Sequence, residues 1–325
     1  VSTASPPSTP ESAAPPAPMA KPKVRVADRI FASMSVASGL VIFLTLLAVF
    51  VFLALQSREA IEGSKELTGK ADAVSLIAYT GPLIYGTVLA AGLALVMAVP
   101  VAVGIALFIS HFAPRKLAQL LGYVVDLLAA VPSVVFGLWG GVWLVPKLEP
   151  LYTFLNTYFS WIPLFAGDPT KPMRNLASAS IVLAVMILPI ITAVTREVFL
   201  QTPKLHEEAA LALGATRWEM IRTAVLPFGR SGIVSASMLG LGRALGETMA
   251  VLMVLSAGHT YSLHILEVGQ HNSIAANIAA QSAESTGIDM SRLVFTGLVL
   301  FIITFIINSI ARGIVARRKD FSGAN

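Results

Sequence analysis

Glu207-Glu208-Ala209-Ala210-Leu211-Ala212-Leu213-Gly214-Ala215-Thr216-Arg217-Trp218-Glu219-Met220-Ile221-Arg222-Thr223-Ala224-Val225-Leu226-Pro227 lies between two long apolar runs and carries its own start and stop signals. Residues 208–213 are strong helix formers with acids at the leading end, where they complement the helix dipole, and Gly214 is a stop. Thr216 with Glu219 three residues on is a capping-box pattern for a second helix, which Pro227 is expected to end. The spacing therefore predicts a helix-turn-helix. Its surface is too apolar to stay fully solvated and calls for a protein partner.

Outward from this segment the chain becomes a membrane protein. Of 325 residues, 55% are hydrophobic and only 13% charged, against about 25% charged in an ordinary soluble domain. With a mean hydropathy of +0.76, a bilayer is the natural solvent for this much apolar surface. Six stretches reach or approach the roughly 20 apolar residues that cross the hydrocarbon core. They are residues 30–55, 82–110, 117–145, 176–195, 231–258 and 293–311. None alternates with a period of two, so a β-barrel is excluded, and helices alone can satisfy the backbone in lipid. The expected class is an all-α integral membrane protein with six transmembrane helices. Cysteine is absent, which removes disulfides, thiolate metal ligands and cysteine nucleophiles together.

Lysine and arginine set the orientation. With the N-terminus inside, fifteen bases fall on the cytoplasmic side and seven outside, while Arg243 lies within a span. Both termini and the 196–230 loop are then cytoplasmic, in a multi-pass protein. The net charge of +5 thus reflects membrane orientation, and a nucleic-acid partner loses its support; lipid is the expected surround. Residues 1–20, rich in Pro, Ser and Ala, read as a disordered tail ahead of a transmembrane body at 21–319, with a short tail at 320–325. No basic region leads a short apolar core there, against a cleaved signal, and Met19 is a candidate start. Between Lys147 and Arg174 a cluster of Phe, Tyr and Trp residues has the composition of an aromatic belt or a re-entrant element.

Charges inside spans are costly and usually face a pore or a partner. Arg243 and Glu247 stand at i and i+4, so one continuous helix would put both on one face, beside the small pair Gly242 and Gly246. Two readings follow: an internal pair that satisfies itself, or an anion pathway in which the arginine fork takes oxyanion oxygens. Asp126, alone in the third span, snorkels or pairs with a neighbouring helix. Pro132, Gly137, Gly140 and Gly141 in that span either kink a packed helix or break it beside a pathway. Residues 63–70 approach a phosphate-binding loop but have the wrong spacing and Ala71 where a hydroxyl is needed, so this stretch is not a nucleotide site. His264, Glu267 and His271 would share a face if helical, but a solvated loop without metal is the favoured reading.

With these residues in place, the chain resembles the permease subunits of bacterial ABC importers. Glu208, Ala209, Ala210, Gly214, Leu226 and Pro227 match that family's EAA...G...LP motif, with Ala224 where isoleucine is preferred. The stretch from Gly242 to Val251 is similar to the signature of the phosphate-specific (Pst) branch. Val131-Pro132-Ser133-Val134-Val135-Phe136-Gly137-Leu138-Trp139-Gly140 resembles the PstC type more than the PstA type. The resemblance implies a type I ABC importer permease fold, with no nucleotide site or cofactor on this chain. It implies a PstA-type second permease as heterodimer partner, and an ATPase dimer that binds ATP and Mg. It further implies an extracytoplasmic phosphate-binding protein and a bacterial cytoplasmic membrane. It makes the 208–227 motif the contact with the ATPase, and it places Arg243 and Glu247 on the phosphate pathway, with Ser133 and Asp126 as further candidates. Permeases for another oxyanion or polar solute share the coupling loop and stay open. So does an ATP-independent channel or secondary transporter.

The cysteine-free chain offers a direct check of topology. Single cysteines near Thr216 and Arg318 are expected to label only from the cytoplasm, and those at Ser64 and His264 only from outside. Labelling of either inner site from outside would overturn the six-span orientation.

Overall fold

A computed structural model describes residues 26–67 and 75–316. Both sequence-expected tails, Arg318 and the end of the 63–70 stretch lie outside the described residues. The chain divides into two units, through Val49 and from Phe50. In the first, the described part belongs to α1 (Val26–Gln56), a 31-residue apolar helix. All its described side chains up to Val49 are exposed.

After the short α2 (Arg58–Leu67), the second unit is built on α3 (Leu76–Leu107) and α7 (Leu176–Leu200). Ala90, Ala94, Ala98, Ala102 and Ala106 recur every four residues on α3 and are all buried. A stripe of small residues lets a second helix approach closely, and dispersion between the packed surfaces then holds the pair. The facing side chains include Leu183, Met186, Ile187 and Ile191 of α7 in the same core. Next to them lies α10 (Leu226–Leu245). A β-carbon on Gly240 would stand 2.7 Å from Ile191 Cδ1, so glycine allows this approach without displacing Ile191.

Five helices or joined helices among the described residues are long and apolar enough to cross a membrane, and a bent pair counted as one span makes six. That pair is where the structure departs from the expected uninterrupted third span at 117–145. Helix α4 (Arg115–Ala129) and the stretch Ser133–Phe159 meet at 91°. Pro132 supplies no N–H and disfavours helix in the residue before it, so the break falls there. Beyond it, α5 (Ser133–Trp139) passes through a π-turn (Gly140–Leu144) into α6 (Val145–Phe159). The aromatic stretch is thus a helix end and a clamped turn: Asn156 Nδ2 donates to the carbonyls of Phe165 at 3.0 Å and Gly167 at 2.6 Å.

Two other expectations are corrected. The second span begins at Leu76, because the hydroxyl of Ser75 accepts from Ala78 N–H and caps the helix ahead of Pro82. The fifth does not run to 258: α10 stops at Leu245, and a short α11 (Met249–Val254) follows after Gly246-Glu247-Thr248. Helix α11 packs against α5, where a β-carbon on Gly137 would lie 2.8 Å from Ala250 Cα. After a short α12 (Ile274–Gln281), the last described helix, α13 (Ile288–Ala316), extends past the expected 293–311 at both ends.

Replacing Gly137 by Val should lower the thermal unfolding midpoint in detergent, at a cost of about 1–3 kcal/mol, because backbone rather than a yielding side chain is in the way. Gly104→Ala, whose added methyl meets nothing within 4 Å, should leave the midpoint unchanged or higher. Equal midpoints for both variants would contradict the close α5–α11 contact.

Candidate coupling face and substrate pathway

The 207–227 segment folds as the expected helix-turn-helix, with one difference. Its first helix, α8, spans Lys204–Ala212. Gly214 adopts φ +85°. Gly214 N–H donates to the Leu211 carbonyl at 3.0 Å and Ala215 N–H to that of Ala210 at 3.2 Å, the pairing of a Schellman stop. The capping box is complete: Thr216 accepts from Glu219 N–H, and the Glu219 carboxylate accepts from Thr216 N–H at 2.7 Å. The helix it opens, α9 (Arg217–Met220), is not ended by Pro227. It runs through a π-turn (Ile221–Val225) into α10. Proline lies in the first turn after the widened one, where its missing N–H and its ring are absorbed without a break.

This module is mounted on a small core of its own. Ala106 and Leu107 from α3, Phe199 from α7, and Met220, Ile221 and Val225 bury one another, with Ala210 and Leu226 packed against them. The motif residues therefore divide. Ala210 and Leu226 face inward, whereas Glu208, Ala209, Gly214 and Pro227 are exposed. Around them Leu205 is 76% exposed, Leu213 90% and Trp218 57%, an apolar surface among charged neighbours.

Arg243 and Glu247 are not on one helix. The helix end at Leu245 and the turn at Gly246 break the i, i+4 relation, and no ion pair joins the two residues. Glu247 is 7% exposed, and its Oε1 accepts from Ala250 N–H at 3.1 Å at the start of α11. Arg243 is half-buried and has no carboxylate within ion-pair distance among the described residues. Beside it, nothing lies within 4 Å of a β-carbon built on Gly242. Ser133 is half-buried in the first turn of α5. Asp126 pairs with Arg196 of α7, Oδ2 to Nη2 at 3.5 Å, so the neighbouring-helix reading of that carboxylate is the one observed.

The histidine loop after α11 is not helical, so His264, Glu267 and His271 share no helical face. His264 Nδ1 lies 3.2 Å from Glu267 Oε2, and His271 Nε2 lies 2.7 Å from the Ser262 carbonyl. Among the described residues no group of three side chains could hold a metal ion. Burial holds the His271 imidazole below its ordinary pKa, partly offset by the Ser262 carbonyl, and burial lowers that of His259 as well. A residue that sequence reasoning passed over is His111. It is half-buried in the turn just past α3, with its ring toward Glu207, and no motif or spacing marks it.

A multi-span helical body with two broken spans, a half-buried arginine near the end of one of them, and an exposed apolar helix-turn-helix define an integral membrane protein. Residues 98–320 match the family described as "Binding-protein-dependent transport system inner membrane component". The chain belongs to that family, so it is a multi-pass inner-membrane transport component and not an enzyme. It is 44% identical over 311 residues to the phosphate transport system permease protein PstC 2 of Mycobacterium tuberculosis, covering 91% of this chain and 94% of that one. It is 48% identical over 243 residues to the phosphate transport system permease protein PstC of Mycobacterium leprae, covering 72% and 74%. In fold it is similar to an inward-facing structure of the MetNI methionine ABC transporter, with a TM-score of 0.50, 18% identity, and coverage of 74% of this chain and 95% of that one. The fold is that of a type I ABC importer permease.

Because nothing crowds Gly214, its substitution tests backbone conformation alone. Gly214→Val should cost about 1–2 kcal/mol at a positive φ and speed amide hydrogen exchange across residues 210–219. Gly214→Asn should do so less. Indistinguishable exchange in the two variants would contradict the left-handed stop.

Proposed function

We propose that this chain is the transmembrane permease subunit of an ATP-driven importer that moves inorganic phosphate into the cell. The observation that carries the reading is Arg243: a guanidinium within a span, with no carboxylate partner among the described residues and an open glycine face beside it. A planar fork in a low-dielectric site replaces the hydration that an oxyanion loses on entry. The PstC relatives supply phosphate as the specific anion. Glu247, held by α11 rather than by Arg243, adds a negative field that keeps the arginine from becoming a permanent trap. Ser133 and Asp126 are further pathway candidates: Ser133 opens the short α5 that packs on α11, and Asp126 sets α4 against α7.

In this reading α8, the turn at Gly214 and α9 form the coupling element on the cytoplasmic side, seated on an ATPase dimer that binds ATP and Mg. Glu208, Ala209, Gly214 and Pro227 face that ATPase, while Ala210 and Leu226 root the element in the membrane body. A phosphate-binding protein delivers the anion at the opposite face. A second permease of the PstA type completes the pathway as heterodimer partner, across surfaces such as the open side of Gly242. Both termini are cytoplasmic by the distribution of basic residues.

The test is phosphate uptake by the reconstituted complex. Arg243→Ala is expected to lose uptake by more than about tenfold with assembly intact. Glu247→Gln should lower turnover more than affinity. A purely structural role for the two residues requires that Arg243→Met with Glu247→Leu restore function. Near wild-type uptake by that assembled double variant would overturn the pathway assignment.

A further inference from the structure

We propose that His111 is a positioning residue that ties the end of α3 to the coupling helix α8 through Glu207; the inference rests on the coupling role proposed for α8. At the foot of α3 the chain passes into a π-turn, Phe108–Phe112, which sets the direction of the His111 ring. The side chain is 9% exposed, and its Nε2 lies 3.5 Å from Glu207 Oε1. On the other side of the ring, Nδ1 lies 2.7 Å from Ser110 Oγ. A buried imidazole without partners is costly, so both nitrogens are expected to be committed.

Proton bookkeeping fixes the sense of the contact. Ser110 has one hydroxyl proton, and its Oγ is also 2.8 Å from the Ala106 carbonyl. If that proton goes to His111 Nδ1, the neutral ring carries its own proton on Nε2 and donates it to Glu207. If it goes to Ala106, Nδ1–H donates to Ser110 Oγ, and Nε2 reaches the carboxylate favourably only when the ring is an imidazolium. In each satisfied arrangement Nε2 is the donor and Glu207 the acceptor.

The placement makes this bond more than local packing. Glu208 is exposed, while Glu207 is half-buried and turned back toward α3. Adjacent acids, about 100° apart around the helix, thus meet different surroundings, one the body and one the outside. Among the described residues this is the one side-chain hydrogen bond between α3 with its π-turn and α8. The apolar contact of Ala210 holds α8 against the body but does not set its rotation about its own axis, because a methyl on a smooth core has no direction. The helix containing His111 runs 37 residues, Leu76–Phe112. Near its far end Thr87 Oγ1 accepts from Ile274 N–H at 2.9 Å, and Tyr79 Oη accepts from Asn277 Nδ2 at 2.8 Å. A rod tied at both ends by directional bonds sets where α8 points when the body changes shape.

The experiment measures phosphate imported per ATP hydrolysed, and assembly, in the reconstituted complex. Glu207→Ala and His111→Ala should each lower the ratio by about fivefold or more while ATP hydrolysis continues. The two together should be no worse than either alone, since they remove one contact. His111→Gln, whose side-chain amide can donate from a similar position, should recover at least half of the ratio; a merely space-filling histidine would not be rescued selectively by a donor. An unchanged ratio in Glu207→Ala, or losses that multiply in the double variant, would overturn the proposal even if His111→Ala failed to assemble. Gly214→Val in the same assay separates the two levels of inference. If it uncouples transport while Glu207→Ala does not, the His111 link alone is wrong; if neither uncouples, the coupling role of α8 falls and the link with it.

Discussion

The close approach of α3 and α7 is the contact on which the rest of the second unit depends. In lipid the solvent is as apolar as a leucine side chain, so helices gain little from burial and must gain from fit. Alanine at every fourth position of α3 supplies that fit over four turns, because each methyl leaves room for a branched side chain from α7. Once α7 is fixed, Gly240 lets α10 settle on Ile191. The lower ends of α3 and α7 then provide Ala106, Leu107 and Phe199 as a mounting for the helix-turn-helix. The helix-turn-helix is therefore an outgrowth of the membrane core. Its orientation is inherited from the same pair of helices that packs the centre.

The two broken spans make sense against this rigid pair. A break in a membrane helix exposes N–H and C=O groups that lipid cannot satisfy, so it survives only where protein supplies partners. At the fifth span Glu247 answers part of that need by accepting from Ala250 N–H. At the third, Pro132 contributes no N–H that would need a partner. The short helices beyond the breaks pack together, with Gly137 of α5 against Ala250 of α11 and Gly141 of the following π-turn against the Met253 carbonyl. Breaking both spans also brings Glu247 and Ser133 to helix starts rather than helix middles, where a polar group has local donors and a smaller desolvation cost.

Much of this was legible in the residues. The apolar runs identified the membrane class, and Gly214 with Thr216 and Glu219 identified the turn, because a positive φ and a capping box depend on a few adjacent side chains. What failed to show were features set by tertiary partners. Arg243 and Glu247 read as one face because composition alone does not reveal that Gly246 ends a helix; glycine is common inside membrane spans and becomes a terminus only when neighbours accept the freed backbone. Pro227 read as a stop because the π-turn before it is invisible in propensity. For Asp126 the residues left snorkelling and pairing with a neighbouring helix both open, because Arg196, its partner, is distant in sequence. His111 was silent for the same reason: a lone histidine at the end of an apolar run acquires meaning only when Glu207 is folded against it.

Two stretches of exposed apolar surface among the described residues differ in the charge around them. Along α1, Phe31, Val36, Phe43 and Phe52 are exposed on a helix with no charged residue between Arg29 and Gln56, a composition at home in hydrocarbon. On the helix-turn-helix, Leu205, Leu213 and Trp218 are as exposed, yet within a few residues stand Glu208, Arg217, Glu219 and Arg222. Charges at that density are costly to sink into a bilayer, at about 2.5–3.5 kcal/mol each near its centre, while water leaves the apolar side chains uncovered. A protein groove with its own apolar floor and charged rim suits both requirements, which is why the chemistry of this surface points to a folded partner rather than to lipid.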